Sequence, residues 1–133
     1  MNRSSFLFLF MGVAALAGCK DKSSTEGLTC GPGPAQVSCH YDKGCIDYVC
    51  DKLKDGVCKT PDGQLSYDRK GCEETRKGRY VEGCACPRPG AIGGCRTAEE
   101  GRTVTTWIYG TGMTADEYRK ICDGNTANEF ITP

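Results

Sequence analysis

The chain is poor in the aliphatic side chains from which a core is normally built. Residues 20–133 hold three Leu, five Ile, five Val and one Phe. That is about 12% of this part, below the roughly 20% of a chain that folds on apolar burial alone. No charge of one sign prevails, since 17 basic residues face 17 acidic ones. Without a block of like charge, the electrostatic case for nucleic acid or a polybasic membrane surface falls away. There is no C-x-x-C pair, no D-x-[DN]-x-[DN]-G loop, and one histidine, His40. Zinc, calcium and dithiol redox chemistry therefore lose their usual ligands, and we expect no cofactor and no metal.

What the chain has instead is cysteine, 11 of 133 residues. Ten of them follow residue 20: Cys30, Cys39, Cys45, Cys50, Cys58, Cys72, Cys84, Cys86, Cys95 and Cys122. An even count in a chain with so thin a core reads as a disulfide framework formed in an oxidising compartment. A closed loop of ~15 residues contributes on the order of 3 kcal/mol by restricting the unfolded chain, so five bridges can replace the missing core. Spacing alone leaves the pairing open.

The N-terminus supplies the route to that compartment. Met1-Asn2-Arg3 precedes twelve nearly unbroken apolar residues at 6–17, too few to span a hydrocarbon core of roughly 30 Å. Residues 1–18 read as a signal peptide. Leu16-Ala17-Gly18-Cys19 resembles the lipobox of bacterial lipoproteins. The resemblance implies a diacylglycerol on the Cys19 thiol, cleavage before it, and anchoring in the bacterial cell envelope. Lys20 stands where Asp would retain such a protein at the inner membrane, which favours the outer one. Residues 19–29 read as the lipidated start and a flexible tether, and 30–133 as one cysteine-rich domain.

Within that domain 50–81 and 86–131 read as a repeat. Cys50 and Cys58 mirror Cys86 and Cys95, and Cys72 with Tyr80-Val81 mirrors Cys122 with Phe130-Ile131. Residues 103–109 are rich in β-branched and aromatic types and predict a strand. Thr114-Ala115-Asp116-Glu117 predicts a capping box opening a helix, Gly124 its end, and 129–132 a last strand. Short strands are expected at 65–67 and 79–82. Ile46, Val49, Cys50 and Leu53 have helical spacing. The expected fold is a small disulfide-rich α+β domain of short strands and one or two short helices, with more loop than regular structure. The order Cys86, Gly93-Gly94-Cys95, Trp107-Ile108-Tyr109, Cys122 and Phe130 also resembles a recurrent module of uncharacterised exported bacterial proteins, although Ile108 interrupts its paired aromatics. That resemblance implies no activity.

Candidate sites are few. His40 reads as a polar surface residue, because its neighbours Cys39 and Cys45 are better used in bridges than as nucleophiles. Glu73-Glu74 and Asp116-Glu117 read as solvated or capping carboxylates. Thr103, Thr105, Trp107 and Tyr109 share one strand face. Trp107 and Tyr109 are either core or a contact face for a protein or glycan, and form the strongest site candidate. Lys59 and Arg96 each follow a cysteine, as in loops that block hydrolases, whereas Pro89 makes Arg88 a poor trypsin-like target. The reading is a non-enzymatic, lipid-anchored envelope protein whose disulfide-braced module binds a partner or is structural. The alternative is an envelope-displayed hydrolase inhibitor.

Overall fold

A computed structural model describes residues 27–54, 57–58, 68–99, 101–110 and 112–133. The expectations for the signal peptide, Cys19, Lys20, Lys59 and a strand at 65–67 lie outside those residues. The chain folds as a disulfide-rich antiparallel sheet, not as the loop-dominated α+β domain expected. Six strands run β1 (Val37–Tyr41), β2 (Gly44–Cys50), β5 (Arg79–Glu82), β6 (Ala91–Glu99), β7 (Arg102–Tyr109) and β8 (Asn128–Ile131), in the spatial order β5-β1-β2-β7-β6-β8. β3 (Leu53–Lys54) and β4 (Val57–Cys58) form a separate two-stranded ribbon. Among the described residues, helix is confined to α1 (Asp68–Lys70), a π-type turn over Gly71–Thr75, and α2 (Ala115–Asp123).

The helical spacing of Ile46, Val49 and Cys50 was misleading for a physical reason. In β2, Cys45, Ile46, Asp47 and Tyr48 are all buried, because both faces of the sheet are covered there. A strand buried on both sides loses the alternation that would reveal it. In β7 and α2 the local signals prevail. Thr114 accepts from the Glu117 amide, and the Glu117 carboxylate accepts from the Thr114 amide at 2.7 Å, a closed capping box. The Thr114 amide, and then the Thr114 hydroxyl donating to the same carboxylate at 2.9 Å, hold the fully exposed Glu117 carboxyl below the usual range.

All ten cysteines after Cys19 are bridged: Cys30–Cys84, Cys39–Cys72, Cys45–Cys86, Cys50–Cys58 and Cys95–Cys122. Strand alternation sends them to opposite sides. Cys39, Cys50 and Cys95 fasten the helices and ribbon to one face. Cys45 fastens the 84–90 segment, here called the strap, across the other, where Cys30–Cys84 also ties the strap to the chain entering β1.

The molecule is an internal repeat, but not in the alignment the sequence suggested. Cys50 bonds Cys58, whereas Cys86 and Cys95 bond Cys45 and Cys122, so these pairs are not counterparts. The strand registers instead make Cys39 the counterpart of Cys95. Cys39 faces Ile46 and Tyr80 on its two neighbouring strands, and Cys95 faces Thr106 and Phe130. Each bonds the cysteine of the helical segment that follows its hairpin. Arg69 lies 4.6 Å over the Tyr80 ring, and Arg119 lies 4.7 Å over Phe130. Each repeat is thus a hairpin, a helical turn bridged to its first strand, and a return strand. Ile46 and Thr106, themselves counterparts, pair directly across β2 and β7, so a local twofold passes between them. Only the match of Cys72 and Tyr80 to Cys122 and Phe130 survives from the earlier alignment.

Gly78 shows how tightly the first repeat closes. A Cβ there would lie 2.7 Å from the His40 carbonyl oxygen and 3.1 Å from both sulfurs of Cys39–Cys72. If the two helix bridges are equivalent in energy as well as in place, Cys39→Ser/Cys72→Ser and Cys95→Ser/Cys122→Ser should each lose about 2–5 kcal/mol. Denaturant unfolding of both double variants checks this; retention of full stability by either would contradict it.

Candidate functional site

The strap-covered face is organised by Asp47, a carboxylate buried at the middle of β2. Its side chain accepts from the Cys86 amide at 2.7 Å, Arg88 at 3.2 Å and the Trp107 indole N–H at 3.0 Å. Strand geometry explains the convergence. Asp47 and Trp107 sit on adjacent strands of the same face, and the Cys45–Cys86 bridge brings the strap above them. A buried carboxylate is tolerated only when its lone pairs are used in this way. Asp47 and Trp107 are also counterparts in the two repeats, so the hydrogen bond joins the halves across their local axis.

Trp107 is 3% exposed. It rests on Gly94, where a Cβ would come within 2.9 Å of the ring, and the Arg88 guanidinium stacks 3.8 Å from the ring centroid. Arg88 also donates to the Cys86 and Pro32 carbonyls at 3.0 and 3.1 Å. Of the two alternatives, core or contact face, Trp107 takes the first, and it forms no exposed stacking strip with Tyr109. Tyr109 is half-buried and donates to the Pro87 carbonyl at 2.5 Å. Burial, then the Asp47 charge, pushes its phenol up to about 12 against the opposing effect of Arg88.

His40 is half-buried rather than a surface residue. Ser38, fully buried, donates its hydroxyl proton to the Cys84 carbonyl. The His40 Nε2 at 2.8 Å must then carry the hydrogen it shares with Ser38 Oγ. Ser38 is oriented by its neighbours with its proton already committed, and Asp47 is occupied elsewhere. Ser38, His40 and the Cys84 carbonyl thus form a hydrogen-bonded brace between β1 and the strap, in which Asp47 takes no part. Arg96 lies inside β6, paired to Thr105 on one side and Glu129 on the other. A strand with two partners is not a convex loop for a hydrolase.

Beyond the strap, the same face opens into a cleft of about 320 Å³. Val49, Thr103 and Thr105 form its floor with Asp47 and Trp107, Pro34 and Ala35 one wall, and Arg88 and Arg96 the rim. The Arg96–Glu129 contact at 3.4 Å is exposed on both sides and holds the arginine only weakly. Among the described residues no group of three or more His, Cys, Asp or Glu is placed to hold a metal ion, and no helix is long and apolar enough to cross a membrane. Sequence reasoning passed over Asp47 and Arg88. The available signal was one carboxylate in the otherwise apolar run Cys45-Ile46-Asp47-Tyr48-Val49-Cys50.

No family model matches the chain, and neither does any curated protein or solved structure.

Arg88→Ala should leave Asp47 short of a partner and destabilise by about 3 kcal/mol, the low end for a broken buried pair because Arg88 is partly exposed. Trp107 emission, blue and shielded in the parent, should shift red and become quenchable by acrylamide; unchanged emission would contradict the stacking. Burial lowers the pKa of His40 below its ordinary 6.5, and the Cys84 carbonyl only partly opposes this. The unfolded chain therefore binds the proton more readily. The His40 contribution to stability should be full above pH 6.5 and decline as pH falls through it. His40→Gln should flatten that step in unfolding measured from pH 8 to 5.

Proposed function

We propose that this is a non-enzymatic, lipid-anchored protein of the bacterial envelope whose disulfide-braced domain binds a partner through the cleft beside the strap. The observation that carries the reading is the complete pairing of the ten cysteines after Cys19, in a chain with too few aliphatic residues to fold without them. Such a framework is maintained in an oxidising compartment, and an export signal ending in Leu16-Ala17-Gly18-Cys19 supplies the entry. The five bridges use only those ten cysteines, and on this reading the Cys19 thiol takes the lipid. The cleft is a concave surface that adjoins the buried network, and it combines Val49 and Trp107 with threonine hydroxyls and guanidinium groups as contact sites do.

On this reading the tether sets the reach. Eight residues lie between Cys19 and Leu28, so the two are at most about 32 Å apart in extended chain, and the domain sits close to its membrane and addresses partners there. With two or more acyl chains the anchor is stable.

Intact-mass analysis of the membrane-bound protein should find a chain beginning at Cys19 and carrying acyl chains. Cys19→Ser should remain uncut or appear in the soluble fraction. A Cys19→Ser protein that is still processed, acylated and membrane-bound would overturn the anchor. Sucrose-gradient separation should place the parent with the outer membrane, and recovery with the inner membrane would overturn that assignment alone.

A further inference from the structure

The local twofold relates two corners of one sheet face, and only one of them is filled. The filled corner is Cys45, Trp107 and Tyr109. There residues 84–88 of the strap cross the strands outside any helix or turn, bridged at Cys86, donating the Cys86 amide to Asp47, and receiving the Tyr109 hydroxyl at the Pro87 carbonyl. The registers carry these residues onto Thr105, Asp47 and Val49, because Ile46 and Thr106 are counterparts and lie opposite one another. Those three residues line the open cleft. The molecule thus shows, on one repeat, what its fold accepts at the position that stands open on the other.

We propose that the cleft receives an extended acidic peptide segment of a partner protein, docked as the strap docks on the equivalent corner. The assignment rests on reading the domain as a binding module. It names the ligand class from two features. The filled corner holds extended backbone by polar side chains, and the open one offers Thr103 and Thr105 hydroxyls for the same purpose. No cysteine stands at Thr105, so the guest is held without a covalent bond. The rim cation open to a guest is Arg96, since Arg88 is taken up by Asp47 and the Trp107 ring, and the exposed Glu129 contact of Arg96 can be exchanged for a better-shielded carboxylate of the guest. Arg96 can grip that carboxylate with two parallel N–H donors. A stacked sugar is disfavoured, because the Trp107 ring is already taken by Arg88 and Gly94.

The single tryptophan reports on the cleft it lines. Full-length oxidised protein in detergent micelles would be titrated with end-blocked Gly-Glu-Gly-Glu-Gly, its Gln analogue, and an oligomer of glucuronate, following Trp107 fluorescence and heat. The Glu peptide should bind saturably, at least tenfold more tightly than the Gln peptide, and more weakly as salt rises. Arg96→Gln should lose at least tenfold. Thr103→Glu, which sets a carboxylate into the cleft floor, should abolish binding with near-UV circular dichroism unchanged, and Lys120→Gln on the outer side of α2 should have no effect. No saturable signal with the Glu peptide, an unaffected Arg96→Gln, or tighter binding of glucuronate would each overturn the proposal. If the peptide fails while an envelope partner is still retained by both the parent and Arg96→Gln proteins, the binding-module reading stands and the cleft assignment falls.

Discussion

A sheet normally keeps its covering layers by burying aliphatic side chains between them, and this one has few to bury. Its buried set is dominated by half-cystines, with Val37, Ile46, Val81, Tyr48, Tyr80, Trp107 and Tyr118 among them. Sulfur bridges therefore do what a broad apolar interface would otherwise do. Three pin helical turns and a ribbon to one face, and two pin the strap to the other. Cys84 and Cys86, with only Ala85 between them, serve different partners, Cys30 in the chain entering β1 and Cys45 in β2. The remaining architecture follows. The strap is close enough to complete the Asp47 network only because Cys45–Cys86 holds it there, and Trp107 is capped only because Arg88 belongs to that strap.

The internal repeat gives this economy a second aspect. One design, a hairpin bridged to the helical turn that follows it, appears twice and pairs with itself through β2 and β7. The copies differ where they meet. At equivalent positions one supplies the Asp47 carboxylate and the other the Trp107 indole, and the two hydrogen-bond across the axis. Divergence of the halves has produced an asymmetric face, sealed at one corner and open at the other.

The features written locally were legible in the sequence. The strand at 102–109 announces itself by Thr103-Val104-Thr105-Thr106-Trp107-Ile108-Tyr109, and α2 by its capping box and Gly124. β1, β2 and β6 were not legible. β2 is covered on both faces and loses its alternation. β6 carries Gly93-Gly94, which suggests a loop until the Phe130 and Trp107 rings are seen to need the space. The repeat was misaligned because Cys39-His40-Tyr41 and Cys95-Arg96-Thr97 share little except the cysteine, while the Gly- and Cys-rich surroundings of Cys58 imitate those of Cys95. At the site, Thr103, Thr105 and Trp107 were found by strand periodicity. Their partners Asp47 and Arg88 come from distant segments, and long-range disulfides that spacing cannot pair bring them there.

The account rests on which cysteine meets which, so the most direct test is the disulfide map of the oxidised protein. Proteolysis without reduction, followed by mass spectrometry, should recover Cys39 with Cys72, Cys95 with Cys122 and Cys50 with Cys58 in separate linkages. Stepwise reduction and alkylation should then assign Cys84 to Cys30 and Cys86 to Cys45. A linkage of Cys58 to Cys72 or of Cys50 to Cys86 would contradict the repeat, the strap and the cleft together.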